Sequence, residues 1–149
     1  MIPLCIIDTN VVVGGLLTDE AASPSRRVLD AMLAGRLRFL VSLDLLSDYR
    51  GALLHPAVVA CHGLSEPEVD EVLSLLALKA TMCHPPADDY LVDDVVTDPG
   101  DVDVAALLTV APEALVVTDD RRLATDLEGM CRLATPARLL TWPGMLGEA

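Results

Sequence analysis

The sequence predicts an α/β fold of three layers, α/β/α, with a central parallel sheet, and three observations support this. Short apolar runs of strand length alternate with stretches whose apolar residues recur at helical spacing. The 149 residues are 52% hydrophobic, which is enough for a core of ordinary size. No internal repeat or low-complexity linker interrupts the pattern. We therefore expect one domain over residues 1–149, with a parallel sheet covered on both faces.

Residues 4–7 form the first predicted strand, and a helical pattern follows some fifteen residues later. Ser23 is the expected N-cap of that helix, because Pro24 then occupies the first helical position, where a missing N–H does no harm. Apolar residues recur at helical spacing from Val28 onward, and Gly35 is expected to end the segment.

Residues 38–42 (RFLVS) form the second predicted strand, and Ser42 is expected to cap the helix that follows. Asp48 then lies in mid-helix. It stands beside a predicted apolar stripe formed by Leu43, Leu46, Ala52 and Leu53. A capping box over residues 65–68 predicts a further helix.

The second half of the chain begins with its least regular segment, residues 85–101. Prolines and acids there predict a long loop with one brief strand at residues 95–96. Residues 104–108 are expected to begin another helix, with Asp101 and Asp103 in its first turn, where acids suit the helix dipole. Residues 114–120 (ALVVTDD) end another buried strand, after which a short helix and a last strand and turn are expected.

The net charge of the chain excludes one simple function. Asp and Glu outnumber Lys and Arg by 23 to 10, which gives a formal charge of −13. Such a surface repels polyanions over a Debye length of about 8 Å, so nucleic-acid binding through a plain basic patch is disfavoured.

The sequence also predicts where the protein acts. The four cysteines are far apart, no segment approaches the roughly 20 apolar residues that span a bilayer, and the N-terminus has no basic leader. We therefore expect a cytoplasmic protein without membrane association.

Acidic residues recur where parallel strands end. Asp8 follows the first strand and Asp120 follows the strand that ends in VVTDD, so both are expected at the same edge of the sheet. Asp48, in an early helical turn, and Asp101, at a helix start, are expected near that edge too. The sequence therefore predicts four converging carboxylates: Asp8, Asp48, Asp101 and Asp120.

Four close carboxylates repel one another, and a hard divalent cation relieves that repulsion. Mg²⁺ and Mn²⁺ prefer oxygen ligands, which suits an aspartate site with Asn10 or Thr118 nearby. Such a site can activate water for attack on phosphorus. The alternative is that these aspartates only cap backbone N–H groups, and residue spacing alone supports both interpretations equally.

Four motifs in this order resemble those of the PIN domain, a family of metal-dependent ribonucleases. They are DTN (residues 8–10), LDLLSDY with ALLHP (residues 43–56), DPGDVDVAAL (residues 98–107) and VVTDDRRL (residues 116–123). The resemblance runs from about residue 4 to residue 142. Within this family, the chain is similar to the VapC-like branch, the toxin components of toxin–antitoxin pairs.

The resemblance implies roles for particular residues. Asp8 matches the first acid of the family, Asp101 the acid after the Asp-Pro pair, and Asp120 the last acid, which the Thr-x-Asp spacing selects over its neighbour Asp119. Asn10 and Thr118 match supporting polar positions.

Two departures from the family pattern leave alternatives open. Asp48 stands where the family usually has Glu, and its shorter side chain favours a water-mediated contact with the metal. Val102 stands where the family commonly has Asn, and the acid Asp103 follows it. Asp98 and Asp103 therefore remain alternative ligands.

The resemblance implies a Mg²⁺- or Mn²⁺-dependent endoribonuclease, the toxin of a toxin–antitoxin pair, with RNA as substrate, a cognate antitoxin and a homodimeric state. A groove lined by Arg26, Arg27, Arg50, Arg121 and Arg122 is expected to contact RNA phosphates, with Arg121 and Arg122 nearest the acids. Two alternatives stay open. One is a DNA nuclease or phosphatase that uses the same carboxylates, and the other is a catalytically silent module that binds a basic protein.

Overall fold

The structure is a computed structural model that describes residues 2–85 and 101–145. The brief strand predicted at residues 95–96 and the alternative ligand Asp98 lie outside the described residues.

A parallel sheet of five strands forms the centre of the structure. The strands are β1 (Cys5–Ile7), β2 (Phe39–Val41), β3 (Thr81–Met82), β4 (Leu115–Val117) and β5 (Arg132–Ala134). They lie in the order β3-β2-β1-β4-β5, and every neighbouring pair is parallel. All residues of β1, β2 and β4 are buried.

Eight helices flank the sheet in the described part of the chain, which confirms the three-layer α/β/α architecture predicted from the sequence. They are α1 (Thr9–Leu17), α2 (Pro24–Leu33), α3 (Leu43–Leu53), α4 (Pro56–His62), α5 (Glu66–Lys79), α6 (Val102–Val110), α7 (Arg121–Leu127) and α8 (Pro136–Leu139). None of these helices is long and apolar enough to cross a membrane.

The strand order creates a switch point between β1 and β4. From β1 the chain builds outward through β2 to β3 on one side, and β4 and β5 then extend the sheet on the other side. In open parallel sheets, ligands bind outside the carboxyl ends of the strands at such a reversal of order. Asp8 follows β1 and Thr118 follows β4, so both lie at this position.

Several predicted helix ends are confirmed. The Ser42 hydroxyl accepts a hydrogen bond from the Leu45 N–H at 3.0 Å, and Ser65 and Glu68 form a reciprocal capping box. Gly35 follows α2 with a φ of +73°, a left-handed conformation that glycine adopts without strain. Ser23 precedes α2 as expected, but its side chain makes no capping hydrogen bond in the structure.

The buried face of α3 differs from the predicted stripe. Leu45, Tyr49 and Leu53 are buried, whereas Leu43 is 65% exposed. The prediction is wrong for Leu43, which is the first residue after the cap, whereas Leu53 is buried as predicted. This shift of the stripe puts Tyr49, directly after Asp48, into the core.

The sequence did not predict α1, because Val11 and its two valine neighbours have strand propensity and two glycines follow them. Tertiary packing overrides that propensity. A Cβ at Gly15 would lie 2.8 Å from the Ser25 carbonyl oxygen and 2.9 Å from the Leu29 Cβ. Glycine therefore allows α1 and α2 to pack closely behind the site.

Candidate metal centre

Two adjacent strands bring Asp8 and Thr118 side by side. Ile7 pairs with Val117 at the ends of β1 and β4, so the next residue along each strand is Asp8 or Thr118. Asp8 is 5% exposed and Thr118 is 4% exposed. Two polar side chains therefore meet at the buried end of the sheet centre.

The Thr118 hydroxyl links two of the predicted acids. It donates a hydrogen bond to Asp8 Oδ2 at 2.6 Å and accepts one from the backbone N–H of Asp120 at 2.9 Å. The other carboxylate oxygen of Asp8, Oδ1, accepts a hydrogen bond from the Thr9 N–H at 2.8 Å. These bonds fix the orientation of the Asp8 carboxylate and the chain direction into Asp120.

Three of the predicted acids form a cluster. Asp8, Asp101 and Asp120 each offer a carboxylate oxygen, and these oxygens lie within 4.8 Å of one another. Each residue stands at the N-cap position of a helix, α1, α6 or α7. The positive ends of helix dipoles favour negative charge at such positions.

Capping explains only part of this arrangement. Asp8 accepts from the Thr9 N–H, and Asp120 accepts from the Arg122 N–H at 2.9 Å. The side chain of Asp101 makes no capping hydrogen bond to the described first turn of α6, although it is only 6% exposed. One of its carboxylate oxygens lies within 4.8 Å of oxygens of the other two acids, which is compatible with a role as metal ligand.

Asp48 lies beside the cluster and is not one of its three members. It projects from α3, which is held against β1 by Tyr49, whose buried hydroxyl donates a hydrogen bond to the carbonyl oxygen of Ile7. Burial raises the pKa of the Tyr49 hydroxyl, and the charges of Asp8 and Asp48 raise it further, so Tyr49 remains a donor. Tyr49 thus sets the position of Asp48 relative to Asp8.

The environment of Asp48 disfavours its charged form. Burial, hydrogen bonding with Asp103 and repulsion by Asp103 and Asp44 together raise the pKa of Asp48 to about 8. Its Oδ2 atom is buried and accepts no hydrogen bond within residues 2–85 and 101–145. Asp103, an alternative ligand in the sequence, therefore stands next to Asp48, while Asp101 occupies the cluster.

A cleft of about 560 Å³ opens over the acids. All four predicted acids line it, and Asn10 lines it from α1. The rest of the lining consists of small or uncharged residues of α1 and α3, namely Thr9, Val13, Ser47, Gly51 and Ala52. The volume is within the range of small-ligand sites.

The donor set fits a hard divalent cation. Oxygen ligands lie about 2.0–2.6 Å from Mg²⁺ or Ca²⁺, so two ligands on opposite sides of one cation are about 4–5 Å apart. The three carboxylate oxygens meet this requirement, since none is more than 4.8 Å from another. A set made only of oxygen atoms favours Mg²⁺ or Mn²⁺ over softer metals.

Two arginines of the predicted groove form ion pairs with acids of the helices. Arg26 pairs with Asp30 at 3.2 Å, and Arg50 pairs with Asp70 at 2.8 Å. These ion pairs hold both guanidinium groups on helix surfaces, and neither residue is part of the cleft lining. Asp30 lies one turn after Arg26 on the same helix, whereas Asp70 belongs to α5, and the sequence order does not reveal that second pairing.

Arg121 and Arg122 are exposed in the first turn of α7, directly after Asp120, and they lie outside the cleft lining itself.

Tyr49 is a residue of the site that the sequence reasoning missed. Its signal was available, because a tyrosine that is buried usually needs a partner for its hydroxyl and this one directly follows an acid of the site.

Comparison with known proteins gives one family match. A family model described as PIN domain matches residues 5–122. The match spans β1 through the start of α7, and it includes all four predicted acids as well as Asn10 and Thr118. None of the curated proteins compared matches the chain.

Proposed function

Because this chain belongs to the PIN domain family, we propose that it is an endoribonuclease that depends on Mg²⁺ or Mn²⁺. PIN domains are generally metal-dependent nucleases, and the acidic cluster of this chain is able to bind a metal ion. The observation that carries the proposal is the convergence of the Asp8, Asp101 and Asp120 carboxylates at the switch point of the sheet.

Asp8, Asp101 and Asp120 would hold the cation directly, and Asp48 would contact it through water because it stands beside the cluster. A divalent cation bound there supplies Lewis-acid stabilisation of the charge that develops on the phosphoryl oxygens. Thr118 keeps the Asp8 carboxylate oriented through its 2.6 Å hydrogen bond. Positioned ligands of this kind avoid reorganisation during the reaction.

Hydrolysis of a phosphodiester consumes one water, breaks one P–O bond and leaves a phosphomonoester and a hydroxyl group. The attacking water must lose a proton as the bond to phosphorus forms. Asp48 lines the cleft without being one of the three clustered acids, and its raised pKa lies near the operating pH, where an ionised carboxylate acts best as a general base. We assign it to accept that proton.

Substrate attraction must overcome the charge of −13. Arg121 and Arg122 are exposed beside Asp120, where guanidinium groups would meet the phosphates that flank the scissile bond. This position supports RNA contacts at the mouth of the cleft by these two residues.

The motif resemblance to the toxin branch supports a wider proposal. The chain would act in the cytoplasm as the toxin of a toxin–antitoxin pair, as a homodimer, and a cognate antitoxin would cover the cleft. Expression of the chain alone should arrest growth, and co-expression of a small protein encoded next to it should restore growth and form a complex that cleaves no RNA. Unimpaired growth with active enzyme would contradict the toxin role.

The activity is tested with purified protein on RNA, single-stranded DNA and a phosphomonoester, each with Mg²⁺, Mn²⁺ or a chelator. We expect internal cleavage of RNA that requires the metal and is lost in Asp8→Asn. Cleavage of DNA or of the phosphomonoester in preference to RNA would mean that RNA is not the substrate. If nothing is cleaved and calorimetry detects no Mn²⁺ binding, the chain is a silent binding module.

A further inference from the structure

Gly51 is a glycine that the described chain does not require. It lies in the last turn of α3 and has a helical backbone rather than a positive φ. A Cβ added there would meet no heavy atom within 4 Å, whereas a Cβ at Gly15 would collide with Ser25 and Leu29. Glycine destabilises a helix relative to alanine, so neither conformation nor packing explains its presence.

The location of Gly51 suggests why a side chain is missing. Gly51 and Ala52 form part of the cleft lining on α3, and Val13 faces them from α1. The charged members of the lining are the four acids, and apart from Asp48 the lining residues of α3 are uncharged. Asn10 and Ser47 are exposed there and offer an amide and a hydroxyl.

The chemistry of these residues indicates which part of a nucleotide can bind between α1 and α3. A phosphate placed between α1 and α3 would face uncharged side chains and the neighbouring carboxylates, which is unfavourable. A ribose and base carry no charge and have apolar faces that can pack against Val13 and Ala52. Their hydroxyl groups and base edges can hydrogen-bond to Asn10 and Ser47.

We propose that the cleft between α1 and α3 is a subsite for the nucleoside next to the scissile phosphate, and that Gly51 is the specificity-determining residue that leaves room for it. The inference rests on the proposed function, because the three clustered acids mark where the phosphate sits. A side chain at Gly51 would extend into the space of the ribose and base, and its Cβ would lie more than 4 Å from the side chain of every acid.

The test uses Gly51→Leu and Gly51→Ala, with Gly14→Ala as matched control, since Gly14 is a helical glycine outside the cleft lining whose added Cβ would make ordinary contacts. Both alanine variants should raise the Tm by about 2–4 °C. Gly51→Leu should raise the KM for RNA cleavage by about tenfold or more at unchanged affinity for Mn²⁺, while Gly14→Ala keeps the wild-type KM.

Equilibrium binding of a short fluorescent single-stranded RNA separates this inference from the proposed function. Weaker RNA binding by Gly51→Leu than by Gly14→Ala supports the subsite even if the wild-type protein cleaves nothing, a result that would refute only the nuclease. If wild-type protein cleaves RNA and Gly51→Leu has the same KM and RNA affinity, the subsite is refuted and the nuclease stands. Absence of RNA binding by the wild type overturns both.

Discussion

The Thr118 hydroxyl donates a hydrogen bond to Asp8 Oδ2 at 2.6 Å across the ends of two adjacent parallel strands. The Thr118 hydroxyl oxygen also accepts a hydrogen bond from the backbone N–H of Asp120, so one small side chain connects the first and last acids of the cluster. Residues 110 positions apart in sequence are thereby held in register at the switch point of the sheet. Thr118 is a positioning residue, because it acts on the metal site through Asp8.

Removal of the Thr118 hydroxyl should weaken metal binding. In Thr118→Val the shape is preserved, but Asp8 Oδ2 loses its donor and the Asp120 N–H loses its acceptor. We expect the affinity for Mn²⁺ and the rate of RNA cleavage to fall by about 10–100-fold. Thr118→Ser restores the hydroxyl and should recover most of both in calorimetry and in cleavage assays. If Thr118→Val binds Mn²⁺ like wild type, the hydrogen bond does not position the ligand.

Asp48 should make the metal-free protein less stable as pH rises. Its pKa is about 8 in the fold against an ordinary value of 3.8, so the folded state binds more protons between these pH values. The free energy of unfolding contributed by this group is greatest below about pH 4 and is lost as pH rises through about 8. Thermal unfolding in chelator should therefore show a falling Tm over this window.

Asp48→Asn should flatten that pH dependence, because the amide does not titrate. Asp119→Asn is the matched control, since Asp119 is exposed and outside the cluster and should leave the slope unchanged. Equal slopes in wild type and Asp48→Asn would mean that Asp48 titrates normally in the fold.

Divalent cations should stabilise the folded chain. Binding to the native state alone adds about 2.7 kcal/mol at a Mn²⁺ concentration of 100 times the Kd, or a rise in Tm of about 5–10 °C. Asp101→Asn should abolish most of this rise, because Asp101 contributes one of the three clustered carboxylates. The stabilisation should be larger at pH 8 than at pH 6, since Mn²⁺ competes with protons. A Tm that does not respond to Mn²⁺ would argue against the site.

Arg121 and Arg122 should contribute to the salt dependence of RNA binding. Each phosphate contact with single-stranded nucleic acid contributes about 0.7 to the slope of log affinity against log salt. The double variant Arg121→Gln/Arg122→Gln should lower the slope by about 1.4. Arg26→Gln/Arg27→Gln removes the same charge from α2, outside the cleft lining, and should change the slope less. Equal effects of the two double variants would indicate that the slope depends on the overall charge of the protein and not on contacts made by Arg121 and Arg122.

The sequence predicted the sheet and the position of its acids because both depend on local pattern. Apolar runs ended at Asp8 and at the VVTDD segment, and carboxyl ends of parallel strands share one edge. The resemblance to the PIN domain, through its Thr-x-Asp spacing, selected Asp120 over Asp119, and Asp120 is the one that the structure places in the cluster. These inferences needed no knowledge of long-range contacts.

The remaining features depend on tertiary contacts that pattern does not reveal. Thr118 can donate a hydrogen bond to Asp8 because β1 and β4 are neighbours in the sheet. The lengths of the predicted strands do not show which strands are neighbours. Gly15 allows α1 to form against α2 despite strand-like valines. The pairing of Arg50 with Asp70 follows from the packing of α3 against α5. Asp48 of α3 lies close to Asp103 of α6, although the two residues belong to different described segments of the chain.

The neighbouring acids Asp119 and Asp120 allow the most direct test of the account. Both substitutions to Asn remove one negative charge, but Asp120 belongs to the three-carboxylate cluster and Asp119 is exposed outside it. The measurement is the rate of RNA cleavage in Mn²⁺ by wild type and the two variants. We predict a loss of roughly 100-fold or more in Asp120→Asn and a rate near wild type in Asp119→Asn. Equal rates in the two variants would contradict a catalytic metal centre at Asp8, Asp101 and Asp120.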